Sequence, residues 1–230
     1  LVNVLCVKFG TKYGRDYVEK LRNMVSRHLT IPYEFYCLTD DKHSIEGVTN
    51  IHLSNQNYIK QWWHKVHMFD PNLGLKGRIL YFDLDVIIHN NIDKLIDLKT
   101  ENFYGIRDFN RKFHPNWNIL NSSAMSWISG QHQDIFRDFK ANSKEALKLH
   151  GDQDWIWRRA KDRIKFWPDP WLMSYKWEIR NKRDIDLTKM PRKFRTIANP
   201  LIPNECSVCV FHGDPNPHDI EDPYVLDNWK

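Results

Sequence analysis

The sequence has no apolar run near the ~18 residues a membrane-spanning helix needs, and no charged-then-apolar leader precedes its first strand pattern. Cysteine is scarce. The four residues Cys6, Cys37, Cys206 and Cys209 are too few and too scattered for a disulfide framework. Cys6 and Cys37 fall inside apolar runs, where a free thiol packs as a small hydrophobe. Cys206 and Cys209 form a lone C-x-x-C, and without a second pair at similar spacing structural zinc is not expected. These features predict a soluble, reduced, cytoplasmic protein. Large charge of one sign is also missing: the formal +5 is spread along the chain, which favours anionic small molecules or substrates without arguing for a nucleic-acid binder, and no nucleic-acid partner is expected. No repeat, low-complexity segment or linker divides the 230 residues, so one domain over 1–230 is expected.

Aromatic residues, by contrast, are plentiful. They make up 13% of the chain, and 10 Trp exceed what a core of this size usually takes, so some should line a binding surface.

Strand-like VNVLCVKFG (2–10) precedes helical spacing over 13–29, then strand patterns at YEFYCLTDD (33–41) and VTNIHL (48–53). Residues 57–70 read as a helix closed by Pro71, and GRILYFDLDVIIH supplies a central strand with a short continuation. This alternation predicts an α/β fold with a mostly parallel central sheet flanked by helices on both faces. Farther on, 121–130 reads as a strand, 131–149 and 152–161 as helices, and CSVCVFHG (206–213) as a last strand. The stretch 163–205 has little periodicity and predicts an irregular C-terminal region.

Asp83 and Asp85 interrupt the apolar run ILYFDLDVII. A lone buried carboxylate costs several kcal/mol unless paired, and two also repel each other. At the carboxyl end of a central strand, where such sheets bind ligands, Asp-x-Asp can hold one divalent cation against a diphosphate. Other signals are weaker alone. His212 leaves a strand end before Gly213 and becomes an attractive third ligand only beside the two carboxylates. Asp152, Gln153 and Asp154 read either as acidic helix capping or as a cluster handling sugar hydroxyls. Lys65 could reach a phosphate, and Lys8 and Tyr13 could meet a nucleotide base or its phosphates.

The order of these pieces resembles the GT-A (Rossmann-like) nucleotide-sugar-dependent glycosyltransferases, closest to the retaining group that includes glycogenin and the lipopolysaccharide galactosyltransferases. GRILYFDLDVIIHNNIDKL resembles that group's strand-DxD-strand-helix block, and NSSAMSWIS its Asn-Ser-Gly strand. DQDWIW is similar to its Asp-Gln segment, and FHGDPNP to its His-x-x-Gly-x-x-Lys-Pro-Trp tail. The resemblance implies transfer of a sugar from a nucleotide-diphosphate sugar, with a lean to UDP, onto a hydroxyl acceptor such as a glycan, with Mn²⁺ or Mg²⁺ as cofactor. Metal would sit on Asp83, Asp85 and His212, and the reacting sugar would face Asp152 and Gln153. The nucleotide would meet Lys8, Phe9, Gly10, Tyr13, Lys65, Asp83 and Leu84 in the half spanning 1–100. Asn121, Ser122, Asp108 and Gly213 would contact donor sugar or acceptor in the half spanning 101–230, and apolar sugar faces would stack on part of the Trp set. An inverting reaction would instead use Asp152 or Asp108 as general base.

The chain departs from the pattern in places. Ser123 replaces a Gly, the His212-to-Gly213 gap is short, Asn216 stands at the phosphate-binding Lys, and His218 at the Trp. Lys8 or a nearby Arg would then carry the missing charge. The alternatives are a Mg²⁺-dependent phosphoryl-transfer enzyme of the haloacid-dehalogenase type and a non-catalytic carbohydrate-binding protein with Ca²⁺ at the aspartates. A sugar-nucleotide-forming nucleotidyltransferase lacks its Gly-rich basic signature here.

Overall fold

The computed structural model describes residues 1–53, 59, 61–180 and 201–230. Its first strand, β1 (Val2–Lys8), is buried over nearly its whole length, as a continuous apolar run in the middle of a sheet should be. Helix α1 (Arg15–His28) follows, burying Tyr17, Val18, Leu21, Met24 and Val25 on one stripe against the sheet. Each such side chain contributes about 1.5–3 kcal/mol. Strands β2 (Tyr33–Thr39) and β3 (Thr49–His52) extend the sheet in parallel on one side of β1.

On the other side lies β4 (Arg78–Phe82), parallel to β1 and completely buried. Beyond it come β5 (Val86–Ile88), β6 (Phe103–Arg107), and β7 (Leu120–Ile128). Then follow α2 (Asp134–Ala141), α3 (Ser143–Ala146), α4 (Asp152–Ala160), β8 (Ile164–Phe166), β9 (Leu172–Ser174), β10 (Val208–Val210) and α5 (Pro223–Asn228). The main sheet has the order β3-β2-β1-β4-β7-β6-β8, and only β7 runs against the rest. A smaller sheet, β5-β10-β9, packs beside it. Two apolar cores result, one on each face of the main sheet, because alternate residues of a strand point to opposite sides: Leu80 and Phe82 join one core, Ile79 and Tyr81 the other.

Several expectations need correction. The helix predicted over 57–70 is a 3-10 helix over Gln61–Phe69, and residues 57, 58 and 60 lie outside the described residues. The helix predicted over 131–149 is broken at Asn142 into α2 and α3. The strand past the aspartates does not extend β4; it opens the second sheet. The irregular stretch 163–205 contains β8 and β9, while 181–200 lies outside the described residues. The thiols of all four cysteines are free and buried, with the Cys206 thiol facing the Val208 carbonyl.

Arg111 anchors the turn after β6 to the segment after β9. Its guanidinium is buried and donates to Glu178 (3.1 Å) and to the carbonyls of Leu172 (2.9 Å) and Asp169 (3.1 Å). Arg111→Met should destabilise the fold by about 3–5 kcal/mol, because Glu178 is left buried without its partner. Thermal unfolding checks this, with a fall of roughly 10 °C expected for a chain of this size.

Candidate active site

Strand β4 ends at Phe82, and the chain turns through Asp83, Leu84 and Asp85 before entering β5. Main-chain bonds hold this turn at both ends: Asp83 N–H donates to the Ser123 carbonyl (2.8 Å), and Phe211 N–H donates to the Asp85 carbonyl (3.0 Å). Both carboxylates are half-buried and face a cavity of about 510 Å³. They also face a smaller neighbouring cavity of about 140 Å³.

The two carboxylates have different partners. Asp83 is ion-paired with Lys65 at 2.7 Å and accepts from the Tyr81 hydroxyl at 2.5 Å. Tyr81 lies two residues before Asp83 on the same strand face, a relation that alternation alone makes visible. Asp85 has no cation at contact distance among the described residues; the Tyr13 hydroxyl donates to it at 2.9 Å. Burial and the charge of Asp83 push the Asp85 carboxyl up to about 7, against the pull of Tyr13, Lys65 and Lys12.

Lys65 extends from the 3-10 helix into the floor of the larger cavity. Besides Asp83 it meets Asp152 at 3.6 Å and the Ser122 hydroxyl at 3.4 Å. Burial opposes its charge, but Asp152 and Asp83 outweigh that and raise its pKa. Asp152 is the first residue of α4 and is 4% exposed. The N-cap position is Gly151, which has no side chain to cap with; the Asp152 carboxylate accepts from the Ser122 hydroxyl (3.0 Å), faces Lys65 and is also held by its own backbone N–H at the helix start. Burial raises its pKa, with Lys65 opposing. Gln153 accepts from Ser122 N–H at 3.2 Å and reaches Asp108 at 3.5 Å. Asp108 is itself tied to Asn110, whose side chain donates at 2.7 Å.

The fold thus gathers most of the singled-out residues. Asp152, Gln153, Asn121, Ser122, Asp108, His212 and Gly213 line the larger cavity with both aspartates. Lys8, Phe9, Tyr13, Lys65 and Leu84 line the smaller one. Gly10 does not line either; its N–H donates to Asp40 at 3.1 Å. Lys8 is committed to Asp41 (3.7 Å) and the Gly10 carbonyl (3.2 Å), which disfavours it as the spare cation. Trp62 and Trp177 stand in the cavity walls, whereas Trp63 is core.

The two carboxylates suit a hard divalent ion, since the charge that Asp85 lacks is what such an ion supplies. His212 has a protein partner of its own. Its Nε2 lies 2.7 Å from the Ser174 hydroxyl, its ring stacks on Phe109, and burial with the nearby Lys176 charge drives its pKa down to about 3. Ser174 Oγ already accepts from Trp177 N–H, so its own proton is available to that imidazole nitrogen. Among the described residues no group of three or more His, Cys, Asp or Glu side chains is gathered to hold a metal. The expected Asp83–Asp85–His212 set is therefore not assembled as ligands, although all three face one cavity.

Sequence reasoning missed Lys12, Ser174 and Lys176. The last two lie in the aperiodic stretch, and nothing in their local sequence marks them.

The mostly parallel seven-stranded sheet flanked by helices has the fold of the GT-A type glycosyltransferases, as its solved neighbours show. Among solved structures, the galactosyltransferase LgtC with donor and acceptor sugar analogues matches 94% of this chain and 88% of its own, with a TM-score of 0.62 and 12% identity. An active-site mutant of LgtC matches with a TM-score of 0.65, also at 12% identity, over 94% of this chain and 89% of its own. The glycosyltransferase GlyE of Streptococcus pneumoniae matches with a TM-score of 0.61 at 15% identity, over 94% of this chain and 56% of its own. No protein-family model and no curated protein sequence matches the chain. The likeness is one of fold. Among the described residues no helix is long and apolar enough to cross a membrane.

Proposed function

We propose that the protein is a metal-dependent glycosyltransferase moving a hexose from a UDP-sugar to a hydroxyl of a glycan acceptor, with retention of configuration. The observation that carries this reading is one cavity, on a glycosyltransferase fold, that joins a charge-deficient Asp-x-Asp pair to the buried Lys65–Asp152–Ser122 cluster. Asp83 and Asp85 would hold Mn²⁺ or Mg²⁺, which when bound neutralises the diphosphate of the donor. Tyr13, with burial and the Asp85 charge raising its pKa, stays protonated and steadies Asp85.

On the sugar side, the breaking C–O bond leaves an oxocarbenium-like centre. Asp152 provides negative charge toward that centre, and Lys65 with Ser122 fixes its orientation. Retention suits this arrangement. An inverting reaction needs a free general base, whereas Asp152 is committed to Lys65 and Ser122, and Asp108 to Asn110 and Gln153. Phosphoryl transfer of the haloacid-dehalogenase type is disfavoured because its nucleophile would be Asp83, which is engaged by Lys65 and Tyr81.

Calorimetric titration of UDP with Mn²⁺, repeated with chelator, tests the reading. Affinity on the order of micromolar that requires the metal is expected. Absence of binding in both conditions, together with no release of UDP from UDP-sugars, would overturn it.

A further inference from the structure

A departing UDP carries more negative charge than one divalent ion bound by two carboxylates neutralises, so a further cation should meet it. The tail loop after β10, residues 212–217, contains no Lys or Arg; Asn216 bonds with Tyr13 and Asp219 instead. Of the lysines near the aspartates, Lys65 is neutralised by Asp83 and Asp152, and Lys8 by Asp41. Lys12 is exposed and sits over the Tyr13 ring.

Lys176 differs from all three. It lies on the short helical turn Tyr175–Ile179 after β9 and is half-buried. Its ammonium donates to the carbonyls of His212 and, at 3.3 Å, Asp214. Among the described residues no carboxylate lies within 4 Å of it; Asp214 and Asp85 act on it only through space. Burial lowers its pKa. The loop wraps around this charge: Gly213 has φ +72°, and a Cβ there would stand 3.4 Å from the Lys176 nitrogen. Gly213 and His212 line the cavity that holds Asp83 and Asp85, and Lys176 stands behind them, outside that lining. An ammonium has three donors, and two are used by carbonyls, which leaves one N–H for an incoming acceptor.

We propose that Lys176 binds the diphosphate of the donor from beneath the His212–Asp214 loop and stabilises it as it leaves. This rests on the glycosyltransferase reading above. As the glycosidic bond breaks, its electron pair goes to the β-phosphate oxygen, and the Lys176 N–H donates to the oxyanion that forms without transferring its proton.

The test compares Lys176→Met and Lys176→Arg with the unaltered protein, titrating uridine, UMP and UDP with Mn²⁺ present and measuring kcat and KM for UDP release from a UDP-sugar that the unaltered protein turns over. Lys176→Met should bind UDP about 10-fold more weakly while binding uridine unchanged, and kcat should fall about 100-fold. Lys176→Arg should restore most of both. Equal loss for uridine and UDP, with a lowered Tm, would make Lys176 a loop brace and overturn the proposal. Unchanged UDP affinity and kcat in Lys176→Met would overturn it as well. Failure of the unaltered protein to bind UDP would overturn the glycosyltransferase reading itself, and this inference with it, a result distinct from the other two.

Discussion

Asp152→Asn should lower turnover of a UDP-sugar by about 10³-fold while leaving UDP affinity within about twofold. The substitution keeps the shape and the bond from Ser122, and removes only the charge that would face the developing oxocarbenium centre. The fold should tolerate it. Burial already disfavours the ionised form of Asp152, and Lys65 keeps Asp83 as a partner at 2.7 Å, so no buried charge is stranded. Steady-state kinetics beside UDP calorimetry and a melting curve separate the two effects. Turnover within tenfold of the unaltered enzyme would reduce Asp152 to an anchor for Lys65.

Asp85→Ala should abolish the metal-dependent part of UDP binding, a loss of about 100-fold or more at saturating Mn²⁺. Asp83 cannot compensate, because Lys65 and Tyr81 already engage it. The pH dependence follows from the carboxyl being pushed up to about 7 in the metal-free fold. Below that pH a proton competes with the cation, so metal-dependent affinity should weaken as pH falls through 7 and level off above it. Stability runs the other way. A carboxyl with a folded pKa above its unfolded value stabilises the metal-free fold at pH below about 4 and loses that contribution as pH rises through 7. Calorimetry and melting curves between pH 5 and 8, with and without chelator, read both trends. Metal-dependent UDP binding that survives in Asp85→Ala would remove the carboxylate pair from the metal site.

Much of the main sheet was legible because β1 and β4 are nearly continuous apolar runs, and β2 and β7 carry aromatic and apolar residues over seven and nine residues. β6 was not: Phe103–Arg107 is five residues, broken by Gly105 and shifted in register there. β8 and β9 have three residues each, too few for alternation to appear; β5 and β10 read as short strands, but nothing in the sequence pairs them with β9 into a second sheet. The Asp-x-Asp pair stood out because charge inside an apolar run demands a reason. The Lys65–Asp152 contact did not, since only the fold brings those distant segments together. His212 lines the same cavity as the aspartates, but its neighbour Ser174 lies where the sequence has no period to read.

The turn carrying Asp83 and Asp85 is clamped through main-chain groups, the Ser123 carbonyl on one side and Phe211 N–H on the other. Such bonds are indifferent to which side chains hang from the residues that make them. A lineage can therefore replace nearly every neighbouring residue while the two carboxylates keep their address in space. A fold held this way depends little on side-chain identity, in keeping with a match to the shape of LgtC over 94% of this chain at 12% identity.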